Sequence, residues 1–306
     1  MKATHLFALI LILICLVTTT KAQNSVVKTS HTVMLGETPV NINVYEKRGS
    51  KVTFFAPHHN EQTSLRIAKE YVEKYGGRVV EVQSFDERGF ASRYIKFNFS
   101  GKNYTLDPNR IFTENGRSCN YPSPDLNLIV KLFSENILKI LFKADGKTLR
   151  DGEMLIVAVH NNSDVDAKNP SARSTDLTAV SFFRGDNTER FSQGAFADQA
   201  DGVFLSNMEA DTDNFVFLSS LTYLRFFVEK GFNVIVQRPP SKLQLIKCSG
   251  DDGSLSVYSG QQNIPYVCLE ADGTDGGYRQ RLMFEAVYQL LKLTESSKAA
   301  ITGKQP

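Results

Sequence analysis

Residues 52–83 constrain the fold more than any other stretch of this chain. Val52, Phe54, Phe55 and Ala56 form a nearly continuous apolar run, of strand length and too short for a helix. Leu65, Ala68, Tyr71, Val72 and Tyr75 then recur at helical spacing until Gly76-Gly77 stops the pattern. Residues 78–83 read as another strand. A strand, a helix and a strand joined so closely predict parallel pairing through a right-handed crossover. The first of these strands runs into His58-His59-Asn60-Glu61, which puts an imidazole and a carboxylate where α/β proteins usually place their sites.

The alternation continues along the chain. Residues 40–45 alternate apolar and polar and read as a strand, and residues 93–99 and 102–106 read as a hairpin turning at Ser100-Gly101. Residues 125–142 carry a helical pattern, and residues 154–159 form a buried strand that leads into His160. A helix over 218–230, strands over 232–236 and 264–269, and an amphipathic helix over 278–293 complete the series. The expected fold is therefore α/β, a mixed, mostly parallel β-sheet flanked by helices on both faces. Residues 23–293 are expected to make one domain. Residues 163–201 are polar with only short apolar pieces, which predicts a surface segment bordering the pocket. Residues 294–306 read as a loose tail.

Residues 1–22 have the pattern of a secretory signal: Lys2, an apolar run over 6–17, then small residues around a cleavage point at Ala22. This predicts a secreted or periplasmic protein with no stable membrane insertion after cleavage, since no other segment is long and apolar enough to cross a bilayer. The chain holds 35 basic and 33 acidic residues with no basic cluster, so a nucleic-acid partner is not expected. Cys119, Cys248 and Cys268 follow the signal, and an oxidising compartment favours one disulfide among them. Cys248 with Cys268 is the expected pair, because they flank a Gly/Ser-rich loop. Asn98, Asn103 and Asn161 head formal glycosylation sequons.

The chemistry gathers at strand ends. Catalytic zinc takes three protein ligands from among imidazoles and carboxylates and keeps a position open for water. His58 and Glu61 supply two, and His160 is the candidate third. Glu270 follows another apolar strand and could work as an acid and base beside the metal. Asp107-Pro-Asn109-Arg110-Ile-Phe112 is a compact polar cluster between apolar residues. Arg110 offers a planar fork that fits a carboxylate in a bidentate way. Arg93 is a candidate to stabilise an oxyanion together with the metal. The structural alternatives are an Asp107–Arg110 ion pair, a solvated Glu270, and a core His160 bonded to backbone. Glu209 and Asp211 are alternative acids.

The ordered set resembles the zinc carboxypeptidase superfamily, including its succinylglutamate desuccinylase and aspartoacylase branch, over residues 52–291. The shared pattern is strand-His-x-x-Glu-helix, Asp-x-Asn-Arg-x-Phe, strand-His, then a Glu after a late strand. The resemblance implies one zinc ion per chain held by His58, Glu61 and His160. It also implies that Asn109 and Arg110 hold a substrate carboxylate and that Glu270 is the general base. Two departures stand out: His59 occupies a place where a small residue is common, and the interval from His160 to Glu270 is long. The expected activity is that of an exported zinc-dependent hydrolase cutting an amide bond beside a free carboxylate. A peptide, a cell-wall peptide or an N-acyl amino acid would be the substrate. The alternative is a catalytically silent peptide- or glycan-binding protein on the same fold.

Overall fold

Side chains on successive strand residues point to opposite faces of a sheet, and here that alternation divides the apolar residues between two cores. In strand β3 (Val52–Ala56), Val52, Phe54 and Ala56 turn to one face and Phe55 to the other. In β7 (Leu155–Asn162), Leu155, Val157 and Val159 join the first core, while Ile156 and Ala158 join the second. Residues buried on both faces read as continuous apolar runs, which is why these strands were legible. The computed structural model describes residues 25–142, 154–162, 179–182, 196–208, 211–246, 248–273, 275 and 277–302. The expected signal segment, most of residues 163–201, and Glu209 lie outside the described residues.

The remaining strands are β1 (Val27–Leu35), β2 (Thr38–Lys47), β4 (Gly77–Val82), β5 (Ile95–Phe99), β6 (Lys102–Leu106), β8 (Ala200–Phe204), β9 (Phe215–Leu218), β10 (Asn233–Gln237) and β11 (Tyr266–Asp272). Nine of the eleven described strands form one sheet in the order β1-β2-β4-β3-β7-β11-β9-β10-β8, and β5 and β6 form a separate hairpin. The sheet is mixed but not mostly parallel, which corrects the expectation. The pairs β3–β4, β3–β7, β7–β11 and β9–β10 are parallel. The pairs β1–β2, β2–β4, β9–β11 and β8–β10 are antiparallel. The parallel centre is what the strand–helix–strand pattern announced. The antiparallel flanks come largely from strands without a readable pattern: β1 is exposed almost throughout, and β9 is only Phe-Val-Phe-Leu.

Helices cover both faces. Helix α1 (Gln62–Tyr75) buries Leu65, Ile67, Ala68 and Val72 against the face that carries Phe54. It ends where Gly76 takes φ +81°, at a point where a Cβ would lie 2.6 Å from the Arg48 carbonyl oxygen, so only glycine fits. Helix α2 (Glu114–Asn120) is short, and α3 (Pro124–Leu141) packs Leu126, Val130, Phe133, Ile137 and Leu141 on the opposite face. Helix α4 (Leu224–Glu229) starts later than the expected residue 218, because Leu218 closes β9 and a 3-10 turn over Leu221–Tyr223 intervenes. Helices α5 (Lys242–Ile246) and α6 (Leu255–Gln262) follow. Helix α7 (Tyr278–Thr302) packs Met283, Phe284 and Val287 beside α1 and runs past the expected stop at 293 into the presumed tail. No described helix is long and apolar enough to cross a membrane.

The disulfide corrects a second expectation. Cys119 pairs with Cys248, their Cα atoms 5.6 Å apart, and Cys268 is unbridged and buried on β11. Sequence nearness favoured Cys248 with Cys268, but residue 268 points from the sheet into the core while residue 248 lies against α2. The bond fastens the loop before α6 onto α2, and that loop carries Asp252 toward the site described next.

Candidate metal centre

Glu61 immediately precedes α1, and its backbone oxygen accepts from Leu65 N at 3.3 Å and Ser64 Oγ at 2.9 Å. Asn161, next to His160 on β7, accepts from Ser64 N through Oδ1 at 2.8 Å and so ties the start of α1 to the end of β7. That tether brings Glu61 to His160. His160 Nδ1 lies 3.0 Å from Glu61 Oε2, and His58 Nδ1 lies 2.8 Å from Glu61 Oε1. One ligand atom from each of His58, Glu61 and His160 falls within 4.8 Å of the others, and all three residues are buried. The structure therefore brings together the three residues expected as ligands.

His58 is held from behind. Its Nε2 lies 2.9 Å from Asp107 Oδ1, and Asp107 also accepts the Asn109 backbone N–H at 2.8 Å. A carboxylate on the far nitrogen fixes an imidazole's orientation and strengthens the near nitrogen as a ligand. Sequence reading singled out Asp107 only as a partner for Arg110, and the pairing with His58 was invisible without the fold. Arg93 spans both acids: Nε and Nη2 donate to Asp107 Oδ2 at 3.3 and 3.2 Å, and Nη1 to Glu61 Oε1 at 3.4 Å. Arg93 is thus at the centre, partly committed to its carboxylates.

The electrostatics separate the acids. Burial works against the charge of Glu61, but His58 and His160 outweigh it and hold the carboxyl well below its usual range. Asp107 is likewise held far down, with His58 outweighing burial. Burial would lower His58, yet Glu61 and Asp107 raise it. Glu270 goes the other way: burial raises it, and the opposing pull of His160 does not cancel that. Glu270 stands directly across from His160 in the β7–β11 register and accepts from Cys268 Sγ at 3.5 Å. His160, Cys268 and Glu270 form a second group of donor atoms within 4.8 Å, sharing His160 with the first.

Arg110 and Asn109 lie beside this cluster. Arg110 Nη1 forms an ion pair with Asp252 Oδ2 at 3.3 Å and donates to the Asn109 carbonyl oxygen at 3.0 Å, rather than pairing with Asp107, which corrects the expected alternative pair. Burial opposes the charge of Arg110, and Asp252, Asp107 and Glu270 outweigh it. Its backbone is clamped: Phe112 N donates to Gly253 O at 2.7 Å, and a Cβ on Gly253 would lie 2.4 Å from the Arg110 oxygen. Asn109 Oδ1 accepts from Leu255 N at 3.2 Å, at the start of α6, so its amide nitrogen is the end that can meet a ligand carboxylate. Both residues line a pocket of about 60 Å³ that also meets Glu270, Phe182, Phe217 and Gln237. Phe182 and Gln199 are the described parts of the polar segment that reach it. Roomier hollows of about 240 Å³ beside Met208 and 490 Å³ along α1 contain neither donor group. Chemistry therefore selects the small pocket.

His59 takes no part as a ligand. Its Nδ1 faces Ser84 O at 2.7 Å and its Nε2 faces Glu81 Oε1 at 3.2 Å. Glu81 also accepts from Asn43, Tyr45 and Lys69; burial works against its charge, but His59, Lys69, Asn43 and Tyr45 outweigh it and bring the carboxyl down to about 2. Asn161 is committed as well, donating to Gln280 Oε1 at 3.0 Å, so this sequon's amide is in use within the fold.

No protein-family model and no curated protein matches the chain. Solved structures do match it. The ectoine utilization protein EutE (DoeB) of Ruegeria pomeroyi is 12% identical, with a TM-score of 0.40, covering 87% of this chain and 66% of that one. A succinylglutamate desuccinylase from Silicibacter sp. TM1040 is 10% identical, with a TM-score of 0.40 and the same coverage of 87% and 66%. A Shewanella amazonensis protein provisionally named as a metallopeptidase is 11% identical, with a TM-score of 0.37, covering 91% and 90%. The chain spans about two thirds of the length of the first two. The desuccinylase and metallopeptidase names are those of the superfamily that the ordered motifs resemble. At TM-scores of this size the likeness carries no argument about chemistry, which rests on the side chains.

The donor set fits a divalent metal. Two imidazoles and one carboxylate, all buried and convergent, are the ligands that catalytic zinc accepts. Because Asp107 backs His58, Asp107→Asn is expected to weaken zinc binding by about 10–100-fold while leaving the three ligands in place. Competition against a chelator of known affinity measures this. Unchanged affinity would remove Asp107 from the centre.

Proposed function

We propose that this chain is an exported zinc-dependent hydrolase that cleaves an amide bond next to a free carboxylate. The observation that carries the reading is the convergence of His58, Glu61 and His160, with Glu270 in register beside His160. His58, Glu61 and His160 hold the ion, which when bound acidifies a water and polarises a carbonyl. Asn109 and Arg110 hold the substrate carboxylate at the pocket mouth, Arg110 with its fork kept in place by Asp252. Arg93, between Glu61 and Asp107, supplies positive charge on the other side of the cluster. Glu270 takes a proton at a carboxylate oxygen and passes it to the leaving nitrogen. Burial keeps its proton affinity above that of an exposed glutamate, which suits a group that must both accept and donate.

Peptides, cell-wall peptides and N-acyl amino acids outside the cytoplasm all meet this description. The test is release of primary amine from a panel of such compounds by the full chain loaded with zinc. Turnover should disappear on chelation and return when zinc is restored. Metal-loaded protein that binds acylated amino acids and releases no amine would identify a binding protein on this fold instead.

A further inference from the structure

The sheet face that carries Glu270 continues into the 60 Å³ pocket. Tyr266, Cys268 and Glu270 alternate along β11 and share that face, and Phe215 and Phe217 share it on β9. Gln237, the last residue of β10, closes the pocket and is only 7% exposed. Among the described residues its carboxamide oxygen is buried without a hydrogen-bond partner. Proteins rarely leave such an acceptor unpaired, and one that lines a pocket is explained by a donor arriving with a ligand.

The rest of the lining narrows what that donor belongs to. Arg110 is the one cation among the described lining residues, and Asp252 together with the substrate's own carboxylate would occupy it. An acidic side chain would therefore meet Gln237 oxygen, Asp252 and Glu270 with no free positive charge. A cationic side chain would be drawn to the carboxylates of Asp252 and Glu270 and would not need the Gln237 oxygen. The space equals about two waters' share of liquid volume, so the side chain is short. Asn109 and Arg110 line the same pocket and, in the proposed function, take the free carboxylate, so the side chain beside it belongs to the residue that bears that carboxylate.

We propose that Gln237 sets substrate specificity by accepting a hydrogen bond from a short, uncharged, donor-bearing side chain on the carboxylate-bearing residue. Asparagine, serine and threonine carry such side chains. The proposal rests on the hydrolase reading, and its test can fail separately from it. Sites built to hydrogen-bond a substrate group discriminate against analogues that lack it.

The zinc-loaded full chain is compared on N-acetyl-asparagine, its close apolar counterpart N-acetyl-leucine, N-acetyl-aspartate and N-acetyl-lysine by kcat/KM. Binding of the same four to the Glu270→Gln protein is measured by calorimetry. The asparagine compound should lead the leucine and aspartate compounds by about tenfold or more. In Gln237→Met the asparagine-to-leucine ratio should fall to within about twofold. In Gln237→Glu, a second variant of nearly the same shape, the added carboxylate should widen the asparagine-to-aspartate ratio. Selective binding without turnover would support Gln237 and count against the hydrolase reading alone. Equal binding of the asparagine and leucine compounds by the parent site, or a preference kept in Gln237→Met, would overturn the proposal.

Discussion

Glu270→Gln is expected to reduce turnover by about 10²–10⁴-fold and to leave the metal bound. Glutamine keeps the shape of the side chain and can still hydrogen-bond, but it cannot accept a proton. Glu270 lies across from His160 in the strand register and faces the pocket that holds Asn109 and Arg110. Its side-chain hydrogen-bond partner is the Cys268 thiol at 3.5 Å, so among the described residues no cation pins its carboxylate as Arg93 pins Glu61 and Asp107. Two carboxylates a few ångströms apart are thereby given different jobs: Glu61 is stabilised in its charged form, and Glu270 is raised by burial. Turnover and metal content are measured together on the same preparation. Undiminished turnover would remove Glu270 from the mechanism, and loss of zinc would make it a ligand through the group it forms with His160 and Cys268.

Much of this centre was legible before the fold, and the reason is geometric. His58, His160 and Glu270 each follow an apolar strand, and the three strands concerned proved to be neighbours in the order β3-β7-β11. Position at a strand end is a property of local sequence, whereas the adjacency of these three strands is not, because other strands intervene between them along the chain. What could not be read depends on chain segments far apart. Asp107 reaches His58 from the end of a hairpin 49 positions away. Asp252 reaches Arg110 because a disulfide and Gly253 press its loop against residues 110–119. Gln237 closes β10 with nothing in its local pattern to mark it, and its significance lies only in an unpaired oxygen.

The strands that sequence reading missed have a common cause. β1 is mostly polar and exposed, so it has no buried stripe to generate a period. β9 is four apolar residues long, and only its last, Leu218, fell in an expected element, the start of the helix over 218–230. Both lie in the antiparallel parts of the sheet, and so the expectation of a mostly parallel sheet failed there while the centre held. The Cys248–Cys268 expectation failed for a related reason: proximity in sequence was weighed without knowing that β11 turns Cys268 inward.

The central claim, that His58, Glu61 and His160 form one metal centre, is tested most directly by elemental analysis of the full chain purified without chelator. His160→Ala removes a buried ligand at the end of β7, yet leaves Glu61 paired with His58 and Arg93, so the fold should persist by circular dichroism. His59→Ala is the matched control, since His59 faces Glu81 and Ser84. The parent and His59→Ala should carry zinc at close to one ion per chain, and folded His160→Ala should carry almost none. A parent protein that neither contains nor takes up zinc, or a His160→Ala protein that binds it as tightly as the parent, would contradict the account.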